Sequence, residues 1–179
     1  LAYLSAGEVR DYLDEAESLG AGLREAGFTG GEPFMNRDIV AMLDDALRRG
    51  LHALVLTNAM KPMRRFESGL LDLRARYGVR LTLRVSLDHY GPAVHEAERG
   101  AGSWKPALDG LRWLARHGFD VCVAGRRLSG ESEAALRAGY AGLFAAEGID
   151  IDADDPARLV IFPEMDPRAD VPEITERCW

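Results

Sequence analysis

The chain has 179 residues, of which 47% are hydrophobic and 28% are charged, and its formal net charge at pH 7 is −7. This length suits one domain with a substantial core. The acidic excess argues against a nucleic-acid partner, because phosphate contacts need a basic face, and no apolar run approaches the ~18 residues that would span a membrane.

The first third of the sequence predicts a helix, a strand, a glycine turn and a second helix. Ser5 and Glu8 form a capping box, in which hydroxyl and carboxylate satisfy free N–H groups at a helix start. A strand is predicted over residues 24–29, and an amphipathic helix over residues 38–49 with Asn36 as its N-cap.

The rest of the sequence repeats a strand–helix unit. Strands are predicted at residues 53–56, 80–87, 119–123 and 159–162, with helices at 63–77, 104–117 and 132–147 between them. Alternation of this kind predicts a parallel sheet with right-handed crossovers. In such sheets a ligand binds beyond the carboxyl ends of the strands.

The turn after the first strand is the clearest candidate for ligand contact. Gly30 and Gly31 carry no Cβ, so backbone N–H and C=O groups there can touch a ligand directly. Glu32 adds a carboxylate, and Pro33 stiffens the exit from the turn. Carbonyl oxygens suit an ammonium group and N–H groups suit a carboxylate, so the turn fits the amino-acid end of a small zwitterion.

Polar or glycine residues follow all five predicted strands, which predicts one continuous site. They are Thr29-Gly30-Gly31-Glu32, Thr57-Asn58, Ser86-Asp88-His89, Gly125-Arg126 and Glu164-Asp166.

Three stretches carry a resemblance to a known family: GFTGGEPFMN (27–36), LVLTNA (54–59) and LTLRVSLDHY (81–90). The pattern resembles the radical SAM superfamily, whose SAM-contacting motif GGEP lies at the second strand of its barrel. The resemblance implies an α/β fold, a partial (β/α)6 TIM-like barrel of parallel strands. Here the first strand and the cluster loop are expected to be missing. We expect residues 1–179 to form one core domain, truncated at the N-terminus and also at the C-terminus.

The resemblance also implies roles for the residues of the turn. Gly30, Gly31 and Glu32, followed by Pro33, would hold the methionyl ammonium of S-adenosyl-L-methionine (SAM), mostly through backbone groups. At the next strand end, Thr57 and Asn58 either face the ligand or cap the following turn.

Residues at the later strand ends complete the implied cofactor site. Ser86 and Asp88 should share a face near the SAM carboxylate and ribose. Arg84 shares that face deeper in the barrel, where an unpaired cation is costly, so it requires a carboxylate from a ligand or from an internal salt bridge. Gly125 would allow adenine or a substrate to come close, and Arg126 either reaches the ligand or lies in solvent.

The resemblance implies a radical SAM enzyme with two cofactors, SAM and a 4Fe-4S cluster. Three cysteines spaced CxxxCxxC hold this cluster in the family, but this chain has only Cys122 and Cys178. Truncation explains this gap, and so does loss of the cluster in a degenerate homologue. Neither cysteine has a metal-ligand spacing, which favours a reducing, cytoplasmic setting.

The full protein would cleave SAM reductively to a 5′-deoxyadenosyl radical that abstracts hydrogen from a small-molecule or peptide substrate. Its reductant would be a protein such as flavodoxin or ferredoxin. One alternative is a degenerate, non-catalytic barrel that binds SAM, a nucleotide or a protein partner. Another is a cluster-free lyase or aldolase, although Lys61 and Lys105 lie outside the strand ends where its nucleophile would be needed.

Overall fold

The computed structural model describes residues 3–128 and 130–163, and in this part of the chain five strands form one parallel sheet. The strands lie side by side in chain order, and every connection between them contains a helix. This arrangement is a partial TIM-like barrel, so the predicted fold class is confirmed. The strands are β1 (Glu25–Phe28), β2 (His52–Thr57), β3 (Leu81–Ser86), β4 (Asp120–Arg126) and β5 (Leu159–Phe162).

In the described part of the chain, helices pack against one face of the sheet. They are α1 (Ala6–Ser18), α2 (Ile39–Arg48), α3 (Lys61–Arg64), α4 (Glu67–Tyr77), α5 (Pro92–Arg99), α6 (Trp104–Arg116) and α7 (Glu133–Glu147). The capping box of Ser5 and Glu8 is present at the start of α1, as predicted. None of the described helices combines the length and the apolar character that crossing a membrane requires.

The two faces of the sheet differ in their side chains because successive residues of a strand point to opposite sides. Val55, Leu83 and Val123 are fully buried in the core beneath the helices. The other face lines the barrel interior and is called the interior face below. On it, Leu56 pairs in register with Arg84, and Arg84 with Cys122.

Three elements differ from the sequence prediction. The helix predicted at residues 63–77 is divided into α3 and α4 near Phe66, whose ring packs 5.9 Å from that of Phe34. β4 runs on to Arg126, because its last residues pair with β5. Helix α5 was not predicted, although Gly91-Pro92 is a helix-start signal, since proline suits the first position of a helix.

Candidate functional site

The turn after β1 presents bare backbone, as the sequence predicted. Gly30 has φ = +116°, which L side chains rarely adopt, whereas Gly31 has no such conformation. A Cβ placed on either glycine would meet no atom within 4 Å. Within this turn, the backbone conformation therefore requires glycine at Gly30 alone. The bare backbone at Gly31 leaves open space beside the turn. Pro33 is buried and begins the 3₁₀ turn that leads out.

The carboxylate of Glu32 joins this turn to the end of β2. Its Oε1 accepts hydrogen bonds from Thr57 Oγ1 at 2.8 Å and from the Phe34 N–H at 3.2 Å. Its Oε2 accepts one from the Asn58 N–H at 2.8 Å. Because three protein donors hold the carboxylate, Glu32 fixes the glycine turn against the end of β2.

Thr57 and Asn58 use their side-chain oxygens to cap the following turn. Thr57 is 2% exposed and lies on the helix side of β2, where its Oγ1 accepts from the Ala59 N–H at 3.0 Å. Asn58 Oδ1 accepts from the Met60 N–H at 2.9 Å. Of the two alternatives, the structure therefore favours capping, with Asn58 half-buried at the strand end.

Ser86 and Asp88 do not share the role that their spacing predicted. Ser86 is the last residue of β3 and lies on the interior face, paired in register with Ala124. The alternation of side chains ends with the strand, and Asp88 is 4% exposed in the loop that follows. Both Asp88 oxygens accept hydrogen bonds from Arg99 of α5, at 2.8 and 2.9 Å. This buried carboxylate ties the loop to α5 through an ion pair with the more exposed Arg99.

Arg84 lies on the interior face, and the described part of the chain gives it no salt-bridge partner, which was one of the two alternatives. Its Nε is buried and has no hydrogen-bond partner among residues 3–128 and 130–163. Asp120 on the same face is already bound by Thr82 Oγ1 and Arg158 Nη1, each at 2.6 Å.

At the end of β4, Gly125 does not open space for a ligand. A Cβ on Gly125 would overlap the hydroxyl of Tyr140, so the glycine allows α7 to pack closely on the helix side of the sheet. The missing Cβ of Gly125 is therefore explained by helix packing, and the approach of adenine or a substrate to this strand end stays a prediction. Arg126 is exposed and bonds Glu98 of α5 at 3.1 Å, so it is neither fully solvated nor turned inward.

The spacing of the sequence did not reveal a contact between two loops at the barrel mouth. The Gly91 N–H donates to His89 Nδ1 at 2.9 Å, so Nε2 carries the proton and donates to Glu131 at 2.7 Å. The Tyr90 hydroxyl donates to the other Glu131 oxygen at 2.8 Å. The hydrogen bonds from His89 and Tyr90 lower the pKa of Glu131. These hydrogen bonds from His89 and Tyr90 to Glu131 join the β3–α5 loop to the β4–α7 loop. No local sequence pattern predicts a contact between residues that are so far apart in the chain.

Two cavities differ in their relation to the strand ends. One of about 550 Å3 runs along the open edge of β1 and includes Gly30, Gly31 and Glu32 in its lining. The other, of about 600 Å3, lies on the helix side between α3 and α6, where Lys61 and Arg116 are among its basic residues. We assign the candidate site to the first because it contains the glycine turn.

The described part of the chain offers no group of three His, Cys, Asp or Glu residues that could hold a metal ion. Cys122 is a free, buried thiol, and burial raises its pKa. A three-cysteine cluster therefore does not fit the described residues. Cys178 and the last predicted strand-end pair, Glu164 and Asp166, lie outside them.

A glycine turn and polar strand ends at one mouth of a partial barrel of parallel strands characterise an α/β protein of the TIM-like barrel class. A family model described as the radical SAM superfamily matches residues 2–132. Because the match covers most of the sequence, the chain belongs to the radical SAM superfamily, as the motifs indicated.

Solved structures of radical SAM enzymes share the fold at low sequence identity. Streptococcus suis SuiB bound to S-adenosylmethionine aligns over 94% of this chain and 36% of its own, with TM-score 0.68 and 13% identity. SuiB bound to precursor peptide SuiA aligns over 84% and 32%, with TM-score 0.61 and 14% identity. TYW1 with a lysine-pyruvate adduct bound aligns over 92% and 52%, with TM-score 0.55 and 14% identity.

The chain thus spans about a third of the length of SuiB and about half of TYW1. No curated protein matches the sequence significantly.

Proposed function

We propose that this chain is the SAM-binding core of a radical SAM enzyme, and that residues 1–179 form one core domain. The proposal rests on the open backbone at Gly30 and Gly31. Three hydrogen bonds to the carboxylate of Glu32 hold this backbone in place. A SAM ammonium fits this turn because carbonyl groups can approach it without a side chain between them.

The other residues of the proposed site divide into contacts and supports. The half-buried amide of Asn58 at the end of β2, beside the turn, and Ser86 at the end of β3, one strand further on, supply polar contacts to SAM. Thr57, Pro33 and Asp88 hold the loops that carry these contacts. Arg126 supplies positive charge at the rim of the barrel, and Arg84 supplies it deeper in the interior, where it faces the space for the substrate rather than the glycine turn.

Bound SAM would supply the hydrogen-abstracting radical of this superfamily, and the barrel would exclude water from it. Because the described residues do not fit a 4Fe-4S cluster, we place the cluster ligands in another segment of the full-length protein. We propose a small molecule or a peptide as substrate, a flavodoxin or ferredoxin as reductant, and a reducing cytoplasm as the setting. A precursor peptide bound to SuiB supports the peptide option.

A non-catalytic SAM-binding barrel is the second candidate, and the lack of a three-cysteine set in this sequence favours it. The sequence of the full-length protein decides between the two. Three cysteines spaced CxxxCxxC support the enzyme, and their absence supports the binding module.

The test of the SAM site is binding of SAM to the full-length protein by anaerobic equilibrium dialysis. Gly31→Val should reduce SAM affinity at least 30-fold, because the side chain occupies the space of the ligand. Its unfolding temperature should change little, since the added Cβ meets no atom within 4 Å. Gly142→Val, an equally unobstructed change on exposed α7, is the matched control. Unchanged SAM affinity in Gly31→Val would contradict the assignment of the turn.

A further inference from the structure

We propose that Arg84 is the anion-binding residue of the barrel interior, and that the ligand held against it presents a carboxylate. The inference rests on the proposed function in one respect, namely that a ligand enters the interior.

The position of Arg84 directs it toward the ligand space. β3 is the central strand of the five, and Arg84 lies on its interior face, level with Leu56 and Cys122. Ser86, two residues further along the same face, ends the strand, so Arg84 lies about 7 Å below the mouth. Neither neighbour of Arg84 on the adjacent strands is an anion. Leu56 is apolar, and burial raises the pKa of the Cys122 thiol.

The described residues supply no anion for Arg84. Its Nε is buried without a hydrogen-bond partner in residues 3–128 and 130–163. Asp120, the acid two strand positions below it on the neighbouring strand, is already hydrogen-bonded at both oxygens, to Thr82 and Arg158. Glu25, at the start of β1, pairs in register with His52 of β2, whereas Arg84 pairs with a residue four positions further along β2. Glu25 therefore lies about 13 Å from the level of Arg84, measured along the strands.

An unpaired cation held partly away from water is costly, and a ligand anion removes that cost. The chemistry favours a carboxylate, because the guanidinium fork matches two carboxylate oxygens in one plane. The buried Nε–H is one of the donors such a pair uses. Because the described residues leave Arg84 without an anion, its guanidinium is available to bind a carboxylate of a ligand.

This carboxylate has two possible sources, SAM itself and the substrate, and the geometry favours the substrate. The methionyl ammonium and carboxylate of SAM are attached to one carbon, so an ammonium at the Gly30–Gly31 turn keeps the carboxylate near β1. β3 lies two strands away from β1, about 10 Å across the sheet. A substrate with a carboxylate, such as an amino acid or an acidic peptide, reaches Arg84 from the open interior.

The experiment compares wild type, Arg84→Met and the control Arg65→Met, a change of an exposed arginine, in the full-length protein. Dialysis measures affinity for SAM and for decarboxylated SAM, which lacks the carboxylate. Thermal unfolding with and without SAM then compares 100 mM sodium acetate with 100 mM sodium chloride, acetate being the smallest carboxylate probe.

For a substrate carboxylate, acetate raises the unfolding temperature of wild type and Arg65→Met by about 2 °C but leaves Arg84→Met unchanged. SAM and decarboxylated SAM then bind all three proteins alike. If Arg84 instead binds the carboxylate of SAM, Arg84→Met loses at least tenfold in affinity for SAM and keeps its affinity for decarboxylated SAM. This result supports Arg84 as an anion site but identifies SAM, rather than the substrate, as the source of the carboxylate. If Arg84 affects neither acetate nor SAM, the inference is overturned.

The unfolding temperature of Arg84→Met without ligand is a second test. A salt bridge between Arg84 and another residue of the protein would change it in the direction opposite to the one that we expect. Without ligand, Arg84→Met should unfold at the same temperature as wild type or higher, because it removes an unpaired cation. A fall of several degrees would reveal an internal partner and overturn the inference. If wild type binds no SAM at all, the proposed function fails, while the acetate comparison still tests Arg84.

Discussion

The Thr57 hydroxyl donates a 2.8 Å hydrogen bond to the carboxylate of Glu32, and this contact joins the ends of two neighbouring strands. The same carboxylate accepts the Asn58 N–H at 2.8 Å. The acidic residue of the GGEP motif is therefore bound within the protein, where it fixes the backbone of the glycine turn. This relationship makes the turn and the end of β2 one unit.

We expect substitutions of the two residues to be coupled. Glu32→Gln and Thr57→Val should each lower the free energy of unfolding by about 1–2 kcal/mol, because each leaves a buried hydrogen-bonding group without its partner. The double variant should lose less than the sum, by at least 0.5 kcal/mol. Both single variants should also weaken SAM binding, since the glycine turn loses its support. Urea unfolding and dialysis measure the two effects.

Thr82→Val provides the control for that cycle. Thr82 bonds Asp120 rather than Glu32, so its effect on stability should add to that of Glu32→Gln. Additive losses for Glu32 and Thr57 would show that the contact does not join the two strand ends energetically.

The sequence predicted the parts of the site that depend on local pattern. Two glycines between a strand and a helix predict open backbone, and alternation in LTLRVS predicts that Arg84 and Ser86 share a face. It did not predict contacts between distant residues, such as Asp88 with Arg99. Alternation also stops where a strand stops, which is why the same rule was wrong for Asp88. The purpose of Gly125 was hidden because its neighbour, Tyr140, lies on α7.

The 179-residue chain should not hold an iron–sulfur cluster by itself. It has two cysteines, and Cys122 is buried with a raised thiol pKa, whereas the family's cluster uses three thiolates. After anaerobic reconstitution with iron and sulfide and removal of the excess, the chain should not show the visible absorbance of a stoichiometric iron–sulfur cluster. The full-length protein is the positive control. A stoichiometric cluster in the chain would contradict the placement of the ligands elsewhere.

Gly110 in α6 is required for packing rather than for binding. A Cβ at this position would overlap the carbonyl oxygen of Ala59, which is backbone and cannot rotate away. Ala59 has φ = +56°, so the turn after β2 has little freedom to adjust. Gly110→Ala should therefore lower the free energy of unfolding by about 3 kcal/mol.

Gly142→Ala is the matched comparison, because it makes the same change on the exposed face of α7, where nothing lies within 4 Å. Alanine is the better helix former, so this variant should gain about 0.5–1 kcal/mol. Opposite signs in urea unfolding identify the Ala59 contact as the cause. Equal gains would mean that α6 moves away at no cost.

His95 should make the stability of the protein depend on pH in one direction. The residue is 0% exposed, its Nδ1 accepts the Asp88 N–H at 3.2 Å, and its Nε2 has no partner among the described residues. Burial lowers the pKa of His95 in the folded protein, and the nearby Asp88 opposes this shift only in part. The unfolded chain therefore binds a proton at about pH 6.5, where the folded protein does not.

Stability contributed by the neutral ring is thus complete above about pH 6.5 and falls as the pH decreases below that value. Thermal unfolding between pH 8 and pH 5 should show this loss in wild type and a smaller loss in His95→Gln, which keeps an acceptor for the Asp88 N–H but does not titrate. His52→Gln, a change of an exposed histidine, should follow wild type. Identical pH profiles for His95→Gln and wild type would show that the pKa of His95 is the same in the folded and the unfolded chain, with the effect of Asp88 cancelling that of burial.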